Sequence, residues 1–320
     1  MNLKELVQFA IKAPSRHNTQ PWQFKTSDQA IRILPDLHRR LPVVDPDDHA
    51  LFISLGCALE NLMVAANHFR LDAKVEPFPS SEPEECIVVR FVPKEGRDED
   101  QLFRAIATRQ SNRSTYDGRP IPPIDLETLQ NATKQEGVRC EMFVESAEVE
   151  PLLEFILEGT RQQYRDKAFV RELVSWIRFN QTEAKKFQDG LYALAIGSPA
   201  APRWLGTLFM TLFTNPESMA HNFSALARGS SALALFIALK NDKSHWVQLG
   251  RSFQRFALTA ASLGIASAHL NMPCEVVAVR KRLQEHLRLG DAQPLLLLRL
   301  GYGKPMPYSL RRPVEKVLLP

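Results

Sequence analysis

Residues 13–22, Ala13-Pro14-Ser15-Arg16-His17-Asn18-Thr19-Gln20-Pro21-Trp22, stop one element and start another within ten positions. Pro14 cannot continue a helix, because its ring removes an amide donor and crowds the preceding turn. The amphipathic run Leu3, Leu6, Val7, Ala10 is therefore expected to end near Ala13. Ser15, Arg16, Asn18 and Gln20 are left as hydroxyl, guanidinium and amide donors on an ordered turn, and Pro21-Trp22 launches an extended segment. Such a corner can hold a ligand. Read alone, it is first of all a helix terminus followed by a turn.

Moving outward, Gln23–Thr26 and Ala30–Leu34 flank the polar Ser27-Asp28-Gln29 as a hairpin would. Leu55, Leu59, Leu62, Met63, Ala66 and Phe69 keep helical spacing, which predicts a long buried helix over 50–70. A Pro-rich crossing over 77–83 leads to a strand at 86–92. The charged stretch Lys94–Asp100 is the expected boundary between two bodies, 1–98 and 99–320. Beyond it the pattern predicts helices near 100–108, 125–136, 148–188, 244–263 and 275–288, with strands at 138–144, 232–239 and 295–300. Residues 161–219, with breaks at Gly197, Pro199 and Pro202, are expected to form a helical insertion or lid.

The two bodies look related. Residues 54–73 and 248–267 align without gaps at an offset of 194, pairing Leu55 with Leu249, Gly56 with Gly250 and Ala66 with Ala260. Each helix precedes a similar strand, Ile87-Val88-Val89-Arg90 and Leu296-Leu297-Leu298-Arg299. Two core helices could share a period by chance, but the repeated helix-then-strand order points to a duplication.

At 320 residues and 44% hydrophobic content the chain can build one large core or two smaller ones. Its net charge of +4 is mild and its cations are interleaved with acids, which argues against a nucleic-acid footprint and suits a small anionic ligand. Cys57, Cys86, Cys140 and Cys274 lie far apart, as packing residues of a reducing compartment would. The apolar runs at 232–239 and 295–298 are shorter than a membrane span. No membrane partner is expected, and a cytoplasmic location follows. His17, His221, His245 and His269 show no metal-ligand spacing; they read as structural or surface residues, and no metal site is expected.

Three further groups carry possible ligand chemistry. Arg109-Gln110-Ser111-Asn112-Arg113-Ser114 offers two guanidiniums and two hydroxyls on one turn, suited to a phosphate but also compatible with a solvated basic turn. Gly264-Ile265-Ala266 ends the second long helix at a residue able to take positive φ. Ser309-Leu310-Arg311-Arg312-Pro313 is a basic tail after a Gly-Tyr-Gly turn, and is free to be simply solvated.

Together these strings resemble the nitroreductase family. Ala-Pro-Ser-x-x-Asn-x-Gln-Pro-Trp is similar to its flavin-contacting turn, Arg109-x-Ser111-x-Arg113 to its phosphate motif, Gly264–Ala266 to its Gly-Leu-Gly/Ala turn and Arg311-Arg312-Pro313 to its terminal tail. Asp36–Asp45 and Trp176-Ile177-Arg178 resemble the tandem, Acg-like branch. The resemblance implies an α+β nitroreductase-like fold duplicated in one chain as an intramolecular pseudo-dimer. It implies one FMN per chain, contacted by Pro14, Ser15, Arg16, Asn18, Gln20, Arg109, Ser111, Arg113, Gly264, Ile265, Ala266, Arg311 and Arg312. Arg109 and Ser111 would hold the phosphate and Arg113 the pyrimidine edge. No catalytic side chain is implied, since the flavin carries the chemistry. The reciprocal site is expected to be degraded: no Arg-x-Ser-x-Arg turn precedes residue 13, and Arg70 occupies the place of Gly264. The implied activity is NAD(P)H-dependent reduction of a nitroaromatic, quinone or similar small molecule. The alternative is a redox-inactive FMN-binding or sequestering protein with a covered flavin.

Overall fold

The computed structural model describes residues 3–82, 85–95 and 101–320. In the first half, α1 (Leu3–Ala10) buries the expected apolar face, Leu3, Leu6, Val7 and Ala10. It is followed by β1 (Trp22–Thr26), β2 (Ala30–Pro35), α2 (His49–His68), β3 (Leu71–Pro77) and β4 (Ile87–Pro93). The second half comprises α3 (Gln101–Thr108), α4 (Pro123–Ala132), β5 (Val138–Phe143), α5 (Ser146–Arg165), α6 (Lys167–Trp176), β6 (Ile177–Arg178), α7 (Gln181–Phe187) and β7 (Leu191–Tyr192). It continues with α8 (Arg203–Leu212), α9 (Pro216–Arg228), β8 (Ala232–Ala238), α10 (Lys243–Ser262), β9 (Ala266–His269), α11 (Met272–Glu275), α12 (Val277–His286) and β10 (Gln293–Gly301). The expected boundary near residue 98 lies outside the described residues.

Two four-stranded antiparallel sheets result, ordered β1-β2-β4-β3 and β5-β8-β10-β9. Matched by position along the chain, the two orders are the same, so the α+β fold is duplicated within one polypeptide. Helices α2 and α10 have equal length and begin and end at the expected offset of 194. They cross at Gly56 and Gly250, where a Cβ would stand 2.1 Å from the Val247 carbonyl oxygen or 2.0 Å from that of Ile53. The contacts obey a local two-fold: buried Glu60 pairs with Arg255, while their repeat mates Gln254 and Asn61 hydrogen-bond at 2.6 Å. Such reciprocal pairing is the mark of an isologous interface. One core runs across it, joining Trp22, Phe24, Ile31 and Leu59 to Phe236, Phe256, Leu298 and Leu300.

Several local expectations need correction. The single helix over 148–188 is three helices, because the Asp166 carboxylate accepts the Ala168 amide to start α6 and Asn180 accepts the Glu183 amide to start α7. The helix over 275–288 breaks at Val276, which has extended backbone angles. The helical insertion begins earlier than residue 161: everything from α5 to α9 lies between β5 and β8. Strands β3 and β9 were not anticipated. β3 alternates apolar Leu71, Ala73 and Val75 with charged Asp72, Lys74 and Glu76 as an edge strand paired only with β4, and β9 is four residues long. Helix α2 is long and apolar enough to span a membrane, yet 83% of its most apolar window is buried inside the protein.

Candidate functional site

The turn after α1 is held in an uncommon conformation. His17, Asn18 and Gln20 have φ of 47°, 52° and 53°, a region that costs residues with a Cβ about 1–2 kcal/mol each. Its side chains over-determine it. Ser15 Oγ accepts the Gln20 amide at 2.9 Å, and Asn18 Nδ2 donates to the carbonyls of Gly190 and Leu310 at 2.9 and 3.0 Å. Gln20 Nε2 donates to Gln188, while its Oε1 accepts the Arg312 amide. The turn thus knots together the first half, the insertion and the C-terminal tail.

Beside it lies an open cleft whose space, adjoining solvent included, is about 1000 Å³. Both halves and the insertion form its walls: Pro14–Asn18, the Ala50–Cys57 face of α2, Arg109–Ser111, Arg113, His269, Asn271, Ser309, Arg311, and Leu191 with Ala195 from the insertion. Ser111 reaches it through a bridge to Ser267 on β9.

Its electrostatics are one-sided. Arg109 is 7% exposed and, among the described residues, pairs with no carboxylate and has only a 3.5 Å contact from Nη2 to the Lys12 carbonyl. Arg311 bonds only the nearby carbonyls of Ser309 and Leu310, and the Nε of both arginines is buried without a partner. Burial pushes Arg109 down to about 10, and burial together with Arg109 pushes Arg311 down to about 9. Arg113 falls to about 10 through burial and the repulsion of Arg16 and Arg299. These guanidiniums stay protonated; the direction reports how unfavourable it is to collect unneutralised cations away from water. An anion entering the cavity relieves that repulsion.

Arg16 differs from its neighbours. Its Nη2 lies 2.5 Å from the buried Glu275 carboxylate, which also accepts Gln163 Nε2 at 2.6 Å and Asn271 Nδ2 at 2.9 Å. It is a neutralised strut between the halves. Two histidines expected to be structural or surface residues line the cavity. Burial, then Arg113, Arg16 and Arg109, bring His269 to about 3, and burial, then Arg16 and Arg113, lower His17 well below its usual range. Both imidazoles are therefore neutral. His17 stood inside the decisive turn; His269 carried no sequence signal.

Of the residues expected at the ligand, Pro14, Ser15, Arg16, Asn18, Arg109, Ser111, Arg113 and Arg311 stand on this wall. Five stand elsewhere. Gln20 is fully buried and spends its amide on Gln188 and Arg312. Arg312 contacts the Gln20 carbonyl and Asp36 at 3.2 and 3.5 Å. Gly264 ends α10 at φ 72°, Ile265 is buried in the shared core, and Ala266 pairs with Gly301. Among wall residues that sequence reasoning missed are Ser54, Cys57, Phe253 and Asn271, each of which reads as an ordinary core or helix residue.

Fold and site together define a duplicated α+β protein with an arginine-lined, cationic cavity at its internal two-fold interface. No family model matches the chain. Two Mycobacterium tuberculosis proteins carrying the name "Putative NAD(P)H nitroreductase" are similar to it along nearly its whole length. Rv3131 is 24% identical over 99% of this chain and 90% of its own, and acg is 23% identical over 98% and 94%. Among solved structures, the FMN-dependent nitroreductase NfnB from Mycobacterium smegmatis in complex with NADPH is similar over 64% of this chain and 88% of its own, at 14% identity and a TM-score of 0.42. A nitroreductase with bound FMN from Bacteroides fragilis is similar over 67% and 96%, at 16% identity and a TM-score of 0.40. Along nearly its whole length, then, the chain is similar to proteins that carry the name putative NAD(P)H nitroreductase.

Proposed function

We propose that this protein is an FMN-dependent oxidoreductase that draws hydride from NAD(P)H and passes electrons to a nitroaromatic, quinone or similar small acceptor. The observation that carries the cofactor is the pair Arg109 and Arg311, buried, facing one cavity, without a carboxylate and each with an unpartnered Nε. A phosphate supplies the missing charge and acceptors. Arg109, Arg311 and Ser111 would hold it, and Arg113, by the family resemblance, would stand near the pyrimidine edge. Bound FMN would supply hydride acceptance and release; the chain's own groups bind, orient and exclude water. Glu275 neutralises Arg16, so that the remaining arginines carry the net charge. The halves contributing to the site are taken as 1–98 and 99–320, and four buried free thiols suit a reducing, cytoplasmic setting.

A second reading, a flavin-holding protein with little turnover, has its own support. Leu191 and Ala195 of the insertion wall the cavity, and Gly190 is doubly hydrogen-bonded to Asn18, its amide to the Asn18 carbonyl and its carbonyl from Asn18 Nδ2. The same stretch is fastened by the partly buried Asp189, which accepts from both Arg39 and Arg178. Anaerobic mixing of the FMN-reconstituted protein with NADPH separates the two. Rapid loss of oxidised-flavin absorbance is expected of the oxidoreductase. A flavin that stays oxidised supports the holder, and failure to bind FMN at all overturns both.

A further inference from the structure

Helix α8 touches the rest of the protein along one narrow side. Gly206 lies so close to Phe179 that a Cβ there would stand 2.2 Å from the ring, and Met210 packs on the small cluster that includes Phe179. Around the remaining face, Trp204, Phe209, Leu212 and Phe213 are 60–69% exposed and Leu205 and Leu208 more than 40%. No other stretch of the described residues exposes so many large apolar side chains in so short a run. Three aromatic side chains of about 200 Å² each, about two-thirds exposed, with Leu212 equally exposed and Leu205 and Leu208 less so, amount to roughly 600 Å². That stands at the top of the range for the largest apolar patch of an ordinary monomer, about 300–600 Å².

We infer that this face is where two copies of the chain meet in solution, α8 packing against α8 across a two-fold axis. The area comes close to one partner's share of a standard interface, about 800 Å². The composition matches too, since Trp and Phe at the centre without charge are what interface cores select. Residues 208 and 209 lie midway along the stripe, so a two-fold there brings each apolar side chain against the partner helix. A lipid surface is the less suitable occupant, because anchoring on anionic headgroups draws on free Lys and Arg beside the apolar face. The arginines of this region are already matched by the protein's own acids, Arg203 by Glu183 and both Arg161 and Arg165 by Glu217.

Sedimentation equilibrium at micromolar concentration tests this. The wild-type protein should show twice the 36.3 kDa chain mass. Phe209→Glu should raise the dimer dissociation constant roughly 30-fold or more, the loss expected of one central anchor, with circular dichroism and thermal midpoint unchanged. Should that variant fail to fold, Leu208→Cys serves, because the four native thiols are buried; mild oxidation should cross-link it into a covalent dimer. A wild-type monomer, a dimer indifferent to Phe209→Glu, or a Leu208→Cys protein that never cross-links overturns the inference. So does a monomer that co-sediments with phosphatidylglycerol vesicles, which would assign the face to lipid instead.

Discussion

Arg109 concentrates the chemistry of the site in one side chain: buried, cationic and short of acceptors. Removing it should weaken FMN binding by about 2–4 kcal/mol, the scale of a charge-assisted phosphate contact together with the poorly compensated anion left behind. Isothermal titration of the Arg109→Ala apoprotein with FMN measures this. Arg139→Ala, a solvent-facing arginine paired only with Glu141, should leave affinity unchanged. His269 provides a second reading of the same charge field. Its pKa is near 6.5 in the unfolded chain and about 3 in the fold, so between those values the unfolded chain binds the extra proton. Its contribution to stability is complete above about pH 6.5 and is lost as the pH falls toward 3. Urea denaturation of the apoprotein should accordingly weaken between pH 7 and pH 5, and His269→Gln should flatten that dependence by at most about 1.4 kcal/mol per pH unit. Identical pH slopes for the two proteins would mean that His269 is not held neutral.

At the scale of the element, the paired long helices record the duplication and its divergence. Gly56 and Gly250 let the backbones approach closely, and Gly56→Ala should lower the stability from denaturant unfolding by about 1–3 kcal/mol, the range for overpacking. At their C-terminal ends the repeats differ in chemistry but not in conformation. Gly264 has φ 72° and Arg70, its mate, has φ 60°, so an exposed arginine bears the strain that glycine escapes. Arg70→Gly should raise stability by about 0.5–1 kcal/mol, the steric relief exceeding the entropy that glycine loses on folding. A decrease would show that the Arg70 side chain contributes more than its backbone costs. At this turn the two repeats share a backbone path and differ in side chain.

For the whole molecule, the cavity belongs to neither half. The first supplies the Ser15–Asn18 turn and the α2 face, whereas the second supplies Arg109, Arg113, His269 and Arg311. Separately expressed fragments 1–98 and 99–320 should bind FMN poorly, and mixing them should recover binding at close to one equivalent per pair, read by flavin fluorescence. Full affinity in the larger fragment alone would refute a site shared across the interface. Two equivalents per chain would refute the loss of the reciprocal site.

Much of this was legible along the chain, for a physical reason in each case. Pro14 ends a helix wherever it falls, the spacing of Leu55, Leu59 and Leu62 allows one buried helical face, and a repeat at fixed offset survives because both copies must pack the same elements. Arg109, Ser111 and Arg311 stand on the cavity wall, and they could be singled out along the chain because short clusters of guanidiniums and hydroxyls offer the donors that suit a phosphate. Tertiary structure alone decided the rest. Whether an arginine is a ligand group or a strut depends on what lies opposite it: Glu275, 259 positions away, neutralises Arg16, and Asp36 with the Gln20 carbonyl occupies Arg312. Gln20 became a knot because the insertion and the tail converge on it. His269 became a neutral wall residue because it is buried, and Arg113 and Arg109 from one turn and Arg16 from another further disfavour its charged form. Local sequence specifies donors, acceptors and turns, but the partner that cancels a charge is chosen by the packing of remote segments.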